Sequence, residues 1–251
     1  MAGLRIAAAQ SHSAPGDIAA NVARHCVFID AAVVAGVDLL VFPELSLSGY
    51  EPALLEGAAL GPGEALLAPL AARAVTNNMT IVAGAPLRNP NGLPFIGAIA
   101  FHPDGRHTTY RKHFLHPGEE QNAAAGTAIS QVIDVRGVPV ALAICADTGN
   151  QQHPHAAVMA GATLYVAGSV ITPAGYAKEA NLLSGHAKLF NIGILLANHA
   201  FETGGYQSAG RSAIWLADGQ LLVDAPGTGE CLVIGDQDNG AVVPVSTLSC
   251  R

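Results

Sequence analysis

The sequence predicts one α/β domain over residues 1–251, in which two mixed β-sheets stack face to face as a four-layer α-β-β-α sandwich with helices outside. Short apolar strand patterns alternate with amphipathic helix patterns in two stretches of the chain, and hairpin patterns follow each stretch. Of the 251 residues, 50% are hydrophobic and 12% charged, which is typical of a large buried core. No linker or low-complexity segment divides the chain.

The first α/β stretch begins at residue 4 and ends at residue 85. Asp17 is a candidate N-cap for a helix over Ile18 to Ala35, where Ile18, Val22, Cys26, Ile29 and Val33 form an apolar stripe. The strand Leu39 to Phe42 is apolar throughout, as expected when both faces of a sheet are covered. The remaining predicted elements are strands Leu4 to Ala9 and Thr80 to Ala85, the helix Glu64 to Asn77, and a hairpin of Phe95 to Phe101 with Arg106 to Arg111.

The second stretch follows a long segment, Lys112 to Ala128, which has no periodic pattern and predicts a functional loop. Its predicted strands are Gln131 to Val135, Val138 to Ile144, Thr163 to Ala167 and Gly193 to Ala197. Its predicted helices are Pro154 to Ala160 and Tyr176 to Phe190. Short antiparallel strands are expected over Ser212 to Leu216, Leu221 to Val223 and Cys231 to Ile234.

The charge pattern excludes several classes of partner. The net charge is −7, and the 12 lysines and arginines are scattered, whereas a general binder of nucleic acid or of an anionic membrane carries clustered positive charge. The apolar stretch near Met1 is too short for a signal peptide, and no run of ~18 strongly apolar residues is present. We therefore expect a cytoplasmic protein with no nucleic-acid partner and no membrane association.

The cysteines and histidines do not suggest a metal site. The four cysteines are far apart and form no Cys-x-x-Cys pair: Cys26, Cys145, Cys231 and Cys250. That spacing argues against structural zinc and against a disulfide scaffold. Cys26 and Cys231 lie in apolar helix and strand patterns, which predicts core positions. His116, His153 and His155 lack a close cysteine or third carboxylate, so we expect no bound metal.

Three predicted strands each end on a side chain with reactive chemistry. These residues are Glu44, Lys112 and Cys145, which offer a carboxylate, an ammonium and a thiol. Ligands of open α/β folds bind outside the carboxyl ends of strands, so the three could meet in one site as base, electrophile and nucleophile. Taken singly, each also fits a structural role: a surface glutamate, a solvated lysine and a buried core cysteine.

The segments around these side chains resemble a known family. Phe42-Pro43-Glu44-Leu45, Tyr110-Arg111-Lys112 and Cys145-Ala146-Asp147 resemble, in order and separation, the three signature blocks of the nitrilase superfamily of carbon–nitrogen hydrolases. Weaker similarities extend along most of the chain, at Ile6 to Gln10, Gly161-Ala162, Asn198, Gly210-Arg211-Ser212 and Asp218-Gly219. The resemblance implies the stacked-sheet fold and a single carbon–nitrogen hydrolase domain.

The resemblance also implies roles for individual residues. Cys145 would be the nucleophile, Glu44 the general base, and Lys112 an oxyanion stabiliser together with the backbone N–H of Ala146. Such a site can hydrolyse a small linear amide through a thioester on the cysteine. It requires neither a metal nor an organic cofactor. A homodimer or larger homo-oligomer is also expected from the family.

A second glutamate is expected to support the lysine. In the family it precedes a glycine by seven residues, and Glu119 stands in that relation to Gly126, so we select Glu119 rather than Glu120. The chain departs from the family pattern nearby, in Lys112-His113-Phe114-Leu115, in Asn122 to Ala125, and at Phe190, where the family has a glutamate. These departures leave the substrate open.

Other functions remain compatible with the sequence. Nitrile hydrolysis and hydrolysis of carbamoyl or ureido compounds could occur on the same fold. A binding or assembly module without activity is the alternative from another class, and the intact trio of Glu44, Lys112 and Cys145 argues against it. The sequence does not identify the amide.

Overall fold

Two mixed β-sheets stack face to face in the computed structural model, which describes residues 3–236 and 239–245. The strands of the first sheet are β1 (Ile6–Gln10), β2 (Leu39–Val41), β3 (Thr80–Leu87), β4 (Phe95–Phe101), β5 (His107–Arg111), β12 (Cys231–Gly235) and β13 (Gly240–Pro244). Those of the second are β6 (Gln131–Val135), β7 (Val138–Ile144), β8 (Leu164–Ser169), β9 (Gly193–Asn198), β10 (Ala213–Trp215) and β11 (Leu221–Asp224). The strand orders are β13-β12-β1-β2-β3-β4-β5 and β11-β10-β9-β8-β7-β6.

Both sheets have a parallel centre and antiparallel flanks. In the first, β1, β2 and β3 are parallel, and in the second, β7, β8 and β9 are parallel. The helices are α1 (Ile18–Val34), α2 (Ala68–Thr76), α3 (Gln152–Met159) and α4 (Pro173–Phe190). Helices α1 and α2 pack outside the first sheet, and α3 and α4 outside the second. The predicted four-layer fold class is therefore confirmed.

The alternation of side chains along each strand divides the core into three layers. In β1, Ile6 and Ala8 face the second sheet, whereas Ala7 and Ala9 face the helices. Strand β7 repeats the pattern, with Val140, Leu142 and Ile144 between the sheets. Because both faces of these strands are buried, their sequences are apolar throughout, as the pattern at Leu39 predicts.

The structure differs from the sequence prediction mainly at element ends. Helix α2 begins at Ala68 because residues 65–67 form a 3-10 turn, and α4 begins at Pro173, where a first-turn proline costs no hydrogen bond. Asp17 caps α1 as predicted, through Ala20 N. Val33, predicted to lie on the buried stripe of α1, is partly exposed in the last turn.

One further difference concerns the end of the chain. Strand β13 was not predicted, since its residues are largely exposed and carry no apolar alternation. Cys26 and Cys231 are buried as predicted, and Cys250 lies outside the described residues. Within the described ranges, no helix is both long and apolar enough to cross a membrane.

Candidate active site

The residues that the sequence singles out meet at the carboxyl ends of β2, β5 and β7, between the two sheets. Lys112 Nζ donates hydrogen bonds to Glu44 Oε1 and to Glu119 Oε1, each at 2.7 Å. Lys112 is fully buried, and Glu44 and Glu119 are 1% and 5% exposed. Glu120 is exposed, so the structure places Glu119 rather than its neighbour beside the lysine.

Glu44 is held in a turn that only glycine neighbours can accommodate. A Cβ on Gly84 of β3 would lie 2.3 Å from Pro43 O, and one on Gly168 of β8 would lie 2.9 Å from Glu44 N. These two glycines belong to different sheets, so the turn is inserted between the layers. Glu44 O accepts a hydrogen bond of 2.7 Å from Nε2 of the buried His199, which further fixes the turn.

Lys112 and Glu119 lie on the long loop after β5. Lys112 O accepts a hydrogen bond from Gly126 N at 2.7 Å, and a Cβ on Gly126 would lie 2.3 Å from Arg111 O. Gly126 therefore closes the loop that begins at Lys112 and carries Glu119. His116 N donates to Glu119 Oε2 and the Tyr50 hydroxyl donates to Glu119 Oε1, at 2.7 and 2.8 Å.

Cys145 stands directly after β7 on a backbone turn of unusual conformation. Its φ of 44° lies in the left-handed region, which costs energy for any residue with a Cβ and presents the side chain away from the strand. Cys145 also opens a 3-10 helix over Cys145–Asp147, where backbone N–H groups have no partner inside the helix. The backbone N–H of Ala146 is one of these groups, and Ala146 lines a cavity beside the thiol.

Asp147 connects this turn to the lysine loop. Its Oδ1 accepts hydrogen bonds from His113 N and Phe114 N, at 3.2 and 2.9 Å, and its Oδ2 accepts from Ile144 N and from the Tyr110 hydroxyl. The side chain is fully buried. One carboxylate therefore positions the segment after Lys112 relative to the segment that carries Cys145, and it does so without reaching the cavity.

Burial and mutual charge set the protonation of the cluster. Burial raises the pKa of Glu44 to about 7, with a smaller contribution in the same direction from Glu119, while Lys112 opposes the shift. Burial acts to lower the pKa of Lys112, but the surrounding acidic groups, Glu44 foremost, raise it well above its ordinary value. Lys112 therefore stays charged at neutral pH.

The thiol has no preformed negative charge. Loss of hydration around the sulfur and the neighbouring Glu44 carboxylate raise the pKa of Cys145 above its ordinary value, although Lys112 opposes them. Glu44 Oε2 is buried with no hydrogen-bond partner in the described part of the chain, and the Cys145 thiol interacts with this carboxylate. The arrangement suits a base that takes the thiol proton during attack.

Sequence reasoning missed three residues of the site. Tyr50 and Tyr206 meet edge to face with ring centroids 5.6 Å apart, and both line the cavity next to Cys145. His199 donates a hydrogen bond to the backbone carbonyl of Glu44. Burial lowers the pKa of His199 to about 4, so its ring is neutral at pH 7. The local signal for His199 is its position directly after Asn198, the residue that ends β9.

Two connected cavities lead from the cluster to solvent. The inner cavity, of about 50 Å³, is lined by Glu44, Tyr50, His116, Cys145, Val170 and Tyr206. The outer cavity, of about 280 Å³, shares His116, Cys145, Val170 and Tyr206 with it and continues between Ala146 and helix α4. The thiol lies where the two meet, so a small substrate can reach it with one end on each side.

The histidines that could suggest a metal have other partners. His153 is buried on α3 and its ring nitrogens lie 2.8 Å from the hydroxyls of Tyr110 and Tyr165. Burial lowers the pKa of His153, so the ring is neutral. Among the residues that the structure describes, no cluster of histidine, cysteine and acidic side chains has the geometry to hold a metal ion.

Comparison with known proteins gives consistent results. The sequence model of the carbon-nitrogen hydrolase family matches residues 5–245. The structure is similar to that of an amidase variant from Nesterenkonia sp. AN1 with acrylamide added at its active-site cysteine, with a TM-score of 0.85 and 25% identity over 93% of both chains.

Curated relatives differ in length from this chain. It is 30% identical to the glutamine-dependent NAD(+) synthetase of Mycobacterium tuberculosis (strain CDC 1551 / Oshkosh), in an alignment 247 residues long that covers 88% of this chain and 35% of the synthetase. The chain thus spans about a third of the length of that relative. It is also 28% identical to a protein of Pseudomonas protegens named hydrolase in pqqF 5′ region, over 94% of this chain and 83% of that protein.

Proposed function

We propose that this chain, which belongs to the carbon–nitrogen hydrolase family, hydrolyses a small linear amide by way of a thioester on Cys145. The observation that carries the proposal is the buried cluster in which Lys112 joins Glu44 and Glu119 beside the thiol. A structural ion pair would not need a reactive side chain at the junction of two cavities. The similarity to an amidase with a modified active-site cysteine supports the same choice.

The first half of the reaction forms the thioester. The Glu44 carboxylate takes the proton of the Cys145 thiol as the sulfur attacks the amide carbon. The carbonyl oxygen becomes an oxyanion, which receives hydrogen bonds from Ala146 N–H and from Lys112 Nζ. Two of the three Lys112 donors are used by the glutamates, which leaves one for the oxyanion. Glu44 then gives its proton to the nitrogen as the carbon–nitrogen bond breaks.

The second half releases the acid. After the amine or ammonia leaves, water takes its place next to Glu44, which removes a proton as the water oxygen attacks the thioester carbon. The carbon–sulfur bond breaks and the sulfur recovers a proton from Glu44, so the enzyme returns to its first state. Because the departing nitrogen and the water both need Glu44, both are assigned to the inner cavity, and the acyl chain to the outer one.

Ammonia release from a panel of small amides tests the proposal. Linear amides of two to five carbons, carbamoyl compounds and the corresponding nitriles would be offered to the purified protein. Release from amides but not from nitriles is the expected result. Faster release from nitriles would favour nitrile hydrolysis, and no release from any compound would favour a binding role.

The pH dependence of the reaction should follow Glu44. Its carboxylate is the required form, and its pKa is raised to about 7, so kcat/KM should fall about tenfold per pH unit below pH 7 and reach a plateau above it. The apparent pKa belongs to the hydrogen-bonded cluster as a whole. Measurement of kcat/KM from pH 5 to pH 9 checks this, and a profile that is flat between pH 5 and pH 7 would contradict it.

The second glutamate should matter far more than its neighbour. Glu119→Gln removes a charge that the buried ammonium needs, and we expect kcat to fall by ~10²-fold or more, the scale of losing one positioned polar group. Glu120→Gln is the matched control, because Glu120 is exposed and its carboxylate accepts a hydrogen bond from Gly118 N, at the edge of the loop and away from Lys112. Steady-state measurement of kcat for both variants tests this difference. A Glu119→Gln variant with the parental kcat would show that Glu119 has no role in the mechanism.

A further inference from the structure

The outer cavity has an uneven distribution of charge. Among the residues that line it, Glu179 supplies the one carboxylate, and none is a lysine or an arginine. Of the described ion pairs, none includes Glu179. A partly buried carboxylate that no cation neutralises gives the outer end of the cavity a negative potential.

The position of Glu179 on helix α4 directs it at the substrate path. Gly175 and Glu179 are one helical turn apart, on the same face of α4, and both line the outer cavity. Lys178, next in sequence, is exposed and does not line the cavity. Glu179 therefore lines the outer cavity, which begins at Cys145, and is absent from the lining of the inner one.

A second polar group in the same cavity also lacks a partner. Ser169, the last residue of β8, is 1% exposed, and its Oγ has no hydrogen-bond partner in the described part of the chain. An unpaired buried hydroxyl is costly, and a ligand that donates a hydrogen bond to it would remove that cost. The Glu179 carboxylate only accepts hydrogen bonds and the Ser169 hydroxyl can accept them, so both groups can bind a ligand that donates hydrogen bonds.

We propose that the outer cavity recognises a cationic end of the acyl chain, so that the substrates are small amides carrying an ammonium or guanidinium group a few bonds from the amide carbon. This rests on the proposed function, which assigns the acyl chain to that cavity. Glu179 and Ser169 both line the cavity, an ammonium can donate to either, and a charge-assisted hydrogen bond to the Glu179 carboxylate is strong. A carboxylate at the same place would meet the Glu179 carboxylate in a cavity whose lining contains no lysine or arginine, and whose one imidazole is that of His116.

Binding to an inactive variant tests the charge preference without turnover. Cys145→Ala would be titrated calorimetrically with 4-aminobutanamide, pentanamide and succinamate, which are cationic, neutral and anionic amides of similar length. The cationic amide should bind roughly tenfold more tightly than pentanamide, and succinamate more weakly than either. In Cys145→Ala/Glu179→Gln the cationic advantage should fall to within twofold, while pentanamide binding stays unchanged.

Two controls make the result specific. Cys145→Ala/Glu56→Gln makes the same change in net charge at an exposed site away from both cavities and should keep the cationic preference. Cys145→Ala/Glu179→Lys should reverse it in favour of succinamate. Equal binding of the three amides, no binding of any, or a preference that Glu179→Gln leaves intact would each overturn the proposal.

Turnover separates this proposal from the proposed function. If the parent enzyme releases ammonia from pentanamide but the cationic amide is no better a substrate, the outer cavity has been misassigned and the amidase activity stands. If the parent hydrolyses no amide while the inactive variant still prefers the cationic ligand through Glu179, the amidase activity fails and the charge preference stands.

Discussion

Cys145→Ala is expected to abolish amide hydrolysis, with kcat lower by ~10⁴-fold or more, as for the removal of a catalytic nucleophile. Without the thiol no thioester can form, and water alone would have to attack an amide carbonyl. The fold should be unaffected, since alanine has the same Cβ at the left-handed turn and one atom less beside Glu44. The free energy of unfolding should stay within about 1 kcal/mol of the parent.

Two measurements check this expectation. Steady-state ammonia release gives the loss of activity, and intact-mass analysis of the parent during turnover should show an acyl adduct that is absent from Cys145→Ala. Cys231→Ala is the matched control, because Cys231 is buried in β12, where burial raises its pKa to about 11. Hydrolysis at the parental rate by Cys145→Ala would refute the proposed mechanism.

The strand pattern of the chain was sufficient to predict where the reactive side chains meet. Glu44, Lys112 and Cys145 each follow an apolar or alternating run, and the carboxyl ends of such strands lie together in an α/β fold. The resemblance to the nitrilase superfamily, through the seven-residue offset from Gly126, then selects Glu119 over Glu120. The meeting place depends on local sequence and on rules of sheet geometry, whereas the choice of Glu119 depends on the resemblance to the family.

Other parts of the site depend on contacts between distant segments. Gly84 and Gly168 are ordinary strand glycines in sequence, and only the stacking of two sheets brings both against the Glu44 turn. His199 and Tyr206 come from the segment after β9, more than 150 residues from Glu44. Strand β13 was also missed, because its position at the exposed edge of the sheet leaves no apolar periodicity in its sequence. Local patterns cannot predict such contacts.

The buried ion cluster makes Lys112 important for stability as well as for catalysis. Lys112 has no exposed surface, and its Nζ lies 2.7 Å from an oxygen of Glu44 and of Glu119. Removal of one partner from a buried ion pair costs ~3–5 kcal/mol, because it leaves charge buried without compensation. Lys112→Met should therefore lower the free energy of unfolding by an amount on that scale, whereas Lys178→Met, at an exposed site, should change it little.

The stability that Lys112→Met loses should increase with pH, because the loss comes from buried carboxylates left without a cation. In the parent, burial already raises the pKa of Glu44 to about 7 although Lys112 lowers it, so without the ammonium the folded-state pKa of Glu44 should rise further. A raised folded pKa favours the folded state below the unfolded pKa and loses that effect as the pH rises through the folded value. Urea denaturation should thus show a smaller penalty for Lys112→Met at pH 5 than at pH 8, and equal penalties would contradict the burial of both charges.

Catalysis and stability can be separated with a triple variant. Lys112→Met/Glu44→Gln/Glu119→Gln removes all three charges, and replacement of a whole buried ion network by neutral groups is often nearly neutral, so most of the lost stability should return. Activity should not return, because the base and the oxyanion donor are both absent and each donor is worth ~3–4 kcal/mol of barrier. Lys112→Arg should also be inactive, since a planar guanidinium does not fit a pocket built for an ammonium. An active Lys112→Arg enzyme would show that Lys112 serves only to hold the two glutamates, and that Ala146 N–H alone stabilises the oxyanion.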